Sequence, residues 1–198
     1  MKKSILTIVA LVAINILSDA QTSATDFRGF IWGSSLMQIQ TGEKAKQIGT
    51  NEKVNLIDDV LLYEDQLAGS DVTIFYQFND NDKLINGTYF FVKKYTDPQL
   101  YLQDYNKFKE LLTLKYGKPK ADKEEWSSNT VPFEKEDYGQ AISDGFLDLI
   151  TIWSTDRTTI KISLLTLNKR PSLQIRYTAK SLDELENKAE LEKALPKL

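Results

Sequence analysis

Between Val72 and Phe78 apolar and polar positions alternate: Val72, Ile74, Tyr76 and Phe78 fall on one side, Thr73, Phe75 and Gln77 on the other. A period of two is that of a half-buried strand, and it predicts a strand over 71–78 with the first set in the core. Asn79-Asp80-Asn81-Asp82-Lys83 follows. Short Asn and Asp side chains bond the local backbone and tolerate left-handed conformations, so this stretch predicts a turn. Residues 84–93 predict the returning antiparallel strand, and 60–66 a strand before the pair. After Asp97 the period changes. Tyr101, Tyr105, Phe108, Leu111 and Leu112 recur at three and four, which predicts a helix over 98–116 with one apolar face. Asp97 can cap it and Pro98 suits its first position, while Gly117 and Pro119 end it.

The other segments follow a related order. Ser35 and Gln38 have capping-box spacing, and Leu36 and Ile39 give a helical period, so a short helix is expected over 36–41. Residues 42–55 read as a connection. Residues 118–137 are polar and charged, and read as a surface connection with room for one short strand around Trp126. Strands are expected at 146–154, 158–168 and 172–179, with turns at Asp156-Arg157 and Lys169-Arg170-Pro171, and a last helix at 182–195. The fold class is therefore α+β: antiparallel sheet from two α-βββ repeats, 34–95 and 98–180, with helices packed on one face and a carboxy-terminal helix.

The amino end changes the picture of the compartment. Lys2 and Lys3 precede an apolar run from Ile5 to Leu17, then Ser18-Asp19-Ala20 supplies small residues before Gln21. This is the order of a cleaved signal peptide, and the run is short for a membrane span. The expectation is a signal at 1–20, a single α+β domain at 21–198, a periplasmic or secreted location, and no stable membrane insertion after cleavage. The formal net charge of −3 gives no electrostatic reason to bind nucleic acid. The chain has no cysteine and no histidine. That removes disulfides, thiol nucleophiles, zinc–thiolate sites and histidine-based triads. Carboxylates, lysine and tyrosine are left, and Asp144, Asp148 and Asp156 could supply a pair for glycoside hydrolysis. Asn79 to Asp82 has the flavour of a calcium loop but lacks the glycine and the distal glutamate. Asn86-Gly87-Thr88 fits a glycosylation pattern inside a predicted strand. No catalytic, metal or cofactor site is predicted.

Aromatic placement carries the binding expectation. With Val72 to Phe78 inward on alternate positions, Phe75 and Gln77 point outward, and the return strand Thr88-Tyr89-Phe90-Phe91-Val92 is apolar on both sides. A sheet covered on one side would expose an aromatic face, for which Phe75, Gln77, Tyr89 and Phe91 are the candidate residues. A one-residue slip in register would exchange the faces. The segment Phe27-Arg28-Gly29-Phe30-Ile31-Trp32-Gly33 offers a second candidate, Phe30 and Trp32. Its aromatics either form a recognition patch or plug the end of the sheet, and the heavy use of aromatics in cores favours the plug.

Three short stretches resemble known proteins. Trp32-Gly33-Ser34-Ser35 with Leu36 and Ile39 resembles the helix opening of small bacterial envelope modules. Tyr76-Gln77-Phe78 through Asp82-Lys83-Leu84 resembles their central hairpin. Tyr116-Gly117-Lys118-Pro119, then Trp126, resembles their passage from helix to aromatic strand. That group contains the beta-lactamase inhibitor protein, a tandem of such modules, and the small outer-membrane assembly lipoproteins. The chain departs from them in having no cysteine for lipidation and none for the inhibitor's disulfides. The F-x-G-x-x-W-G stretch at 27–33 is also similar to one in exported proteins of Gram-negative bacteria that have no established function. The sheet-rich plan, the aromatic hairpin and the missing catalytic residues point to a non-enzymatic exported binding or envelope-assembly module, with a protein of the cell envelope as partner. The alternative is a carboxylate-dependent hydrolase acting on envelope glycans.

Overall fold

The computed structural model describes residues 25–51, 60–127 and 133–182. The expected signal peptide at 1–20, and the expected last helix beyond Leu182, lie outside the described residues. Helix α1 (Leu36–Gly42) leads into strands β1 (Lys46–Asn51), β2 (Val60–Leu67), β3 (Ser70–Phe78) and β4 (Leu84–Phe91). Helix α2 (Gln99–Tyr116), β5 (Ala121–Trp126), a 3-10 turn at Lys135–Asp137 and α3 (Tyr138–Ser143) precede β6 (Leu147–Ser154), β7 (Thr158–Leu167) and β8 (Arg170–Ala179). The fold is α+β, with one eight-stranded antiparallel sheet in the order β1-β2-β3-β4-β8-β7-β6-β5. Two meanders meet at their last strands, β4 against β8.

Local chemistry explains the elements that the period predicts. Ser35 and Gln38 close a reciprocal capping box at the start of α1. The Asp97 carboxylate accepts the Gln99 amide at the start of α2, and Gly117, at φ +77°, ends the helix. Tyr101, Tyr105, Phe108 and Leu112 are its buried residues. Both expected hairpins, β3–β4 and β7–β8, are antiparallel. The expected α-βββ order is corrected: each half contributes four strands. The extra strands are the edges β1 and β5, and α3 interrupts the second half. Neither edge alternates. β1 has a bulge between Gln47 and Gly49, and β5 reads Ala-Asp-Lys-Glu-Glu-Trp, a charged edge that discourages strand addition.

All three described helices lie on one face of the sheet. Helices α2 and α3 pack on β6, β7 and β8. The first half is covered instead by residues 26–35 and α1. This opening segment folds back through a tight turn, Phe27 bridging Phe30, and pairs with the start of β4 through Gly33 and Ser34 against Leu84. The Phe27 ring is 2% exposed, with the rings of Tyr76, Tyr89 and Tyr177 at 5.3, 5.1 and 5.2 Å. It lies flat on Gly87, where a Cβ would fall inside the ring's van der Waals envelope. A glycine in a strand interior marks such a close approach. Burying a phenylalanine side chain contributes about 1.5–3 kcal/mol. Tyr76 and Tyr89 belong to the first half and Tyr177 to the second, so one ring seals the seam.

Polar contacts fix the same segment. The Arg157 guanidinium donates twice to the Asp26 carboxylate, at 2.8 Å each, and the Trp32 amide donates to it at 2.8 Å. The Trp32 indole donates to Thr158 Oγ1 at 2.8 Å. Asp26 is nearly buried, at 4% side-chain exposure, so its bidentate partner matters more than a surface ion pair would.

Substitution of Gly87 tests this packing. Gly87→Ala is expected to destabilise by about 1–3 kcal/mol through overpacking. The loss should shrink when Phe27 is already alanine, because the ring is what the new methyl meets. Denaturant unfolding of the two single variants and the double variant measures the coupling. A Gly87→Ala protein as stable as the parent would contradict the packing.

Candidate functional site

Three places gather functional side chains, and two of them are internally saturated. The first is beside the opening segment. Arg28, at φ +48°, forks onto Glu43 at 2.9 and 3.0 Å and reaches Asp65 at 2.6 Å. The Tyr76 hydroxyl also donates to Glu43, and Arg28 lies 5.9 Å from the centre of the Tyr89 ring. Burial pushes the Glu43 carboxyl up, but the Arg28 fork and the Tyr76 hydroxyl outweigh it and hold it down at about 2. Burial and Glu43 push the Tyr76 hydroxyl far above its ordinary value. A locked carboxylate and a phenol that stays protonated suit a structural clamp, and neither can act as a base near neutral pH.

The second is a cleft of about 550 Å³ between α2, β5 and the approach to α3. Its wall includes Tyr105, Asn106, Lys109, Asp122, Glu124 and Tyr138. Thr151 donates its one hydroxyl proton to Asp122 at 2.7 Å, so Tyr105, 2.6 Å from the same oxygen, must donate to Thr151. Lys109 completes the relay on the other Asp122 oxygen. Tyr138 donates to Glu124 at 2.8 Å. Burial raises Tyr105 to about 12, and the Lys109 and Thr151 contacts hold Asp122 down despite its burial. The chain runs donor to acceptor and closes on an ion pair, leaving no group poised for proton transfer.

The third is the face of the sheet away from the helices. Register places its residues in rows. One row runs Leu62, Phe75, Thr88, Arg176, Lys161, Ile152 across β2, β3, β4, β8, β7 and β6. The next runs Thr73, Phe90, Gln174, Ser163, Ile150 from β3 to β6. The Phe75 and Phe90 rings pack at 4.6 Å. Four buried side-chain polar atoms lack a hydrogen-bond partner among the described residues, and three of them lie here: Ser163 Oγ, Gln174 Oε1 and Arg176 Nε. The fourth is the Tyr63 hydroxyl, under the opening segment.

The structure divides the residues that the sequence singled out. Phe75 and Gln77 point to the face away from the helices and are half-buried. Tyr89 and Phe91 point to the helix side, Tyr89 against Phe27 and Phe91 against Phe108 at 4.5 Å. The four therefore do not share a face. The reason is a bulge: Gln77 pairs with Asn86 but Phe78 pairs with Leu84, so one extra residue sets which side Tyr89 faces. Trp32 is 4% exposed in the core, and Phe30 is half-buried edge-on to Tyr76. Phe90, Thr88, Gln174, Arg176, Lys161 and Ser163 went unnoticed, although Phe90 lies in the aromatic run 89–91.

The acidic candidates are scattered. Asp144 caps the end of α3 and accepts from Gln140, Asp148 begins β6, and Asp156 lies beyond that strand's far end. At about 3.3 Å per residue, β6 alone carries the chain roughly 20 Å from Asp148 to Ser154, and Asp156 lies in the turn beyond. A glycosidase pair needs about 5–9.5 Å. The Asn79 side-chain oxygen accepts the amides of Asn81 and Lys83, so it is used in shaping the turn. The Asn86 amide bonds Thr178 and its oxygen accepts from Thr88. No helix among the described residues is long and apolar enough to cross a membrane.

The Glu43 clamp predicts an acid dependence. Its carboxyl is held at about 2 against an ordinary 4.5, so its contribution is full above pH 4.5 and disappears as pH falls toward 2. The stability gap between the parent and Glu43→Gln should narrow over that interval by an amount on the order of 3 kcal/mol. Urea unfolding at several pH values reads it. A gap independent of pH would mean that the carboxylate is not held by Arg28.

No protein-family model matches the chain, and no curated protein matches it. Among solved structures it is similar to a DUF4309 family protein, YjgB, from Bacillus subtilis subsp. subtilis str. 168, at 14% identity. The alignment covers 74% of this chain and 79% of that chain, with a TM-score of 0.39. This neighbour is distant, and neither the inhibitor-protein group nor the outer-membrane lipoproteins is supported as this chain's family.

Proposed function

We propose that the chain is a non-enzymatic exported module for binding or envelope assembly, holding a protein partner of the cell envelope on the sheet face away from its helices. The observation that carries this reading is the one-sided cover. All described helices and the opening segment lie on one face, while the other presents the packed Phe75–Phe90 pair with Leu62, Ile150 and Ile152 in the same rows. The two rings and Leu62 form one apolar patch, separated from Ile150 and Ile152 by the polar residues of β8 and β7, and an apolar patch on an uncovered sheet face is a usual mark of a binding site. Addition of a partner strand at the edge is disfavoured on the β5 side by Lys123, Glu124 and Glu125. Both polar clusters on the helix side are satisfied internally, which leaves the binding reading ahead of a hydrolytic one.

Photo-crosslinking in cells tests it. A benzophenone amino acid at position 75 or 90 should form discrete adducts with an envelope protein. The same probe at Leu114, 83% exposed on α2, should not. Adducts at 114 with none at 75 or 90 would overturn the reading.

A further inference from the structure

On the face away from the helices, Lys161 and Arg176 stand directly opposite each other on β7 and β8. Like charges in that position repel across about 5 Å. Neither makes an ion pair among the described residues. The acids of this face lie elsewhere: Glu64 is paired with Lys46 and Asp71 accepts from Gln66 toward one edge, and Glu125 is paired with Lys123 at the other. Asp148, on β6, is four positions from Ile152, the residue that opposes Lys161. That is about 13 Å along the strand. Next to the two cations are the buried, unpartnered Ser163 Oγ, Gln174 Oε1 and Arg176 Nε. Ser163 is 1% and Gln174 8% exposed, and the two oppose each other across the β7–β8 ladder. A buried polar atom without a partner costs about 1–3 kcal/mol, so the three together make the surroundings of the two cations the least satisfied polar part of this face among the described residues.

We infer that the partner of this face is an acidic peptide segment whose carboxylate sits between Lys161 and Arg176. The inference rests on the binding-face reading and narrows its ligand. A carboxylate between the two cations cancels the cross-strand repulsion and accepts from the Lys161 ammonium and the outer N–H groups of the Arg176 guanidinium, the planar match that a guanidinium makes best. The apolar requirement follows from the row. Phe75 lies two strands from Arg176, about 9.6 Å, which an extended peptide covers in roughly three residues. The segment therefore carries an Asp or Glu with an apolar residue about three positions away.

Panning a displayed library of random dodecapeptides against the full chain tests this. Peptides that bind the parent but not a Phe75→Ala/Phe90→Ala variant should be enriched in that pattern. For the best of them, changing its acid to the amide, or making Arg176→Gln or Lys161→Gln in the protein, should weaken binding about tenfold or more. Higher salt should also weaken it. The peptide-side exchange needs no folded variant, so it stands even where Arg176→Gln fails to fold. Peptides that depend on Phe75 and Phe90 but show no acidic preference, and that bind equally after amide exchange, would overturn the inference and leave the binding face standing. Recovery of no peptide that depends on those rings would overturn both.

Discussion

The structure depends on one ring, Phe27, lying on Gly87 between three tyrosines. Among the described residues the strands of the two meanders pair only in the β4–β8 ladder, five residue pairs long. Helices α2 and α3 cover the second meander, and among the described residues the first meander meets a long helix only at its margin, where α2 sets Phe108 on Phe91 and Lys107 on the Ala68 carbonyl. Elsewhere the opening segment takes that helix's place. Phe27 fills the seam, Trp32 reaches across it to Thr158, and Asp26 locks onto Arg157. With no cysteine in the chain, packing and these charge-assisted bonds must supply the cross-link that a disulfide could have given.

That solution has a consequence for the other face. The described helices and the opening segment are all committed to one side, so the described side chains opposite them pack mostly against each other. Phe75 settles on Phe90, and small residues such as Thr88 and Ser163 sink between larger neighbours. The charges do not settle in the same way. Asp26, Glu43 and Asp122 each have a cation within hydrogen-bonding distance, whereas Lys161 and Arg176 face each other. A fold that satisfies its helix-side charges this thoroughly and leaves two cations opposed on the other face has concentrated its unmet polarity in one place.

How much of this was readable follows from which signals are local. The β3–β4 hairpin and α2 announce themselves by period, and the caps at Ser35, Asp97 and Gly117 mark their ends. The edge strands show less, because an edge needs no buried face: β1 holds one large apolar residue, Ile48, next to a bulge, and β5 is charged, marked in the sequence only by Trp126, around which a short strand is expected. Helix α3 is six residues long, too short for a period to show. The faces of β4 could not be assigned, since 88–92 is apolar on both sides and the bulge near Ile85 decides. The opposed cations were hidden by two residues of turn. Asn168 and Lys169, both at positive φ, make the β7–β8 turn, which sets Leu167 against Arg170 and so Lys161 against Arg176. A turn at Lys169-Arg170-Pro171 would have moved that ladder by several residues. Gly87 did carry a signal, a lone glycine inside an apolar strand, but what approaches it comes from sixty residues away.

Hydrogen exchange on a Phe27→Ala variant tests most directly whether the opening segment joins the two halves. Loss of the ring should lower amide protection in β3 and β4 and, to a similar extent, in β7 and β8, because the cavity opens at their shared seam. Protection in β5, at the far edge, should change least. Deprotection confined to the first half, with β7 and β8 as slow as in the parent, would contradict the account.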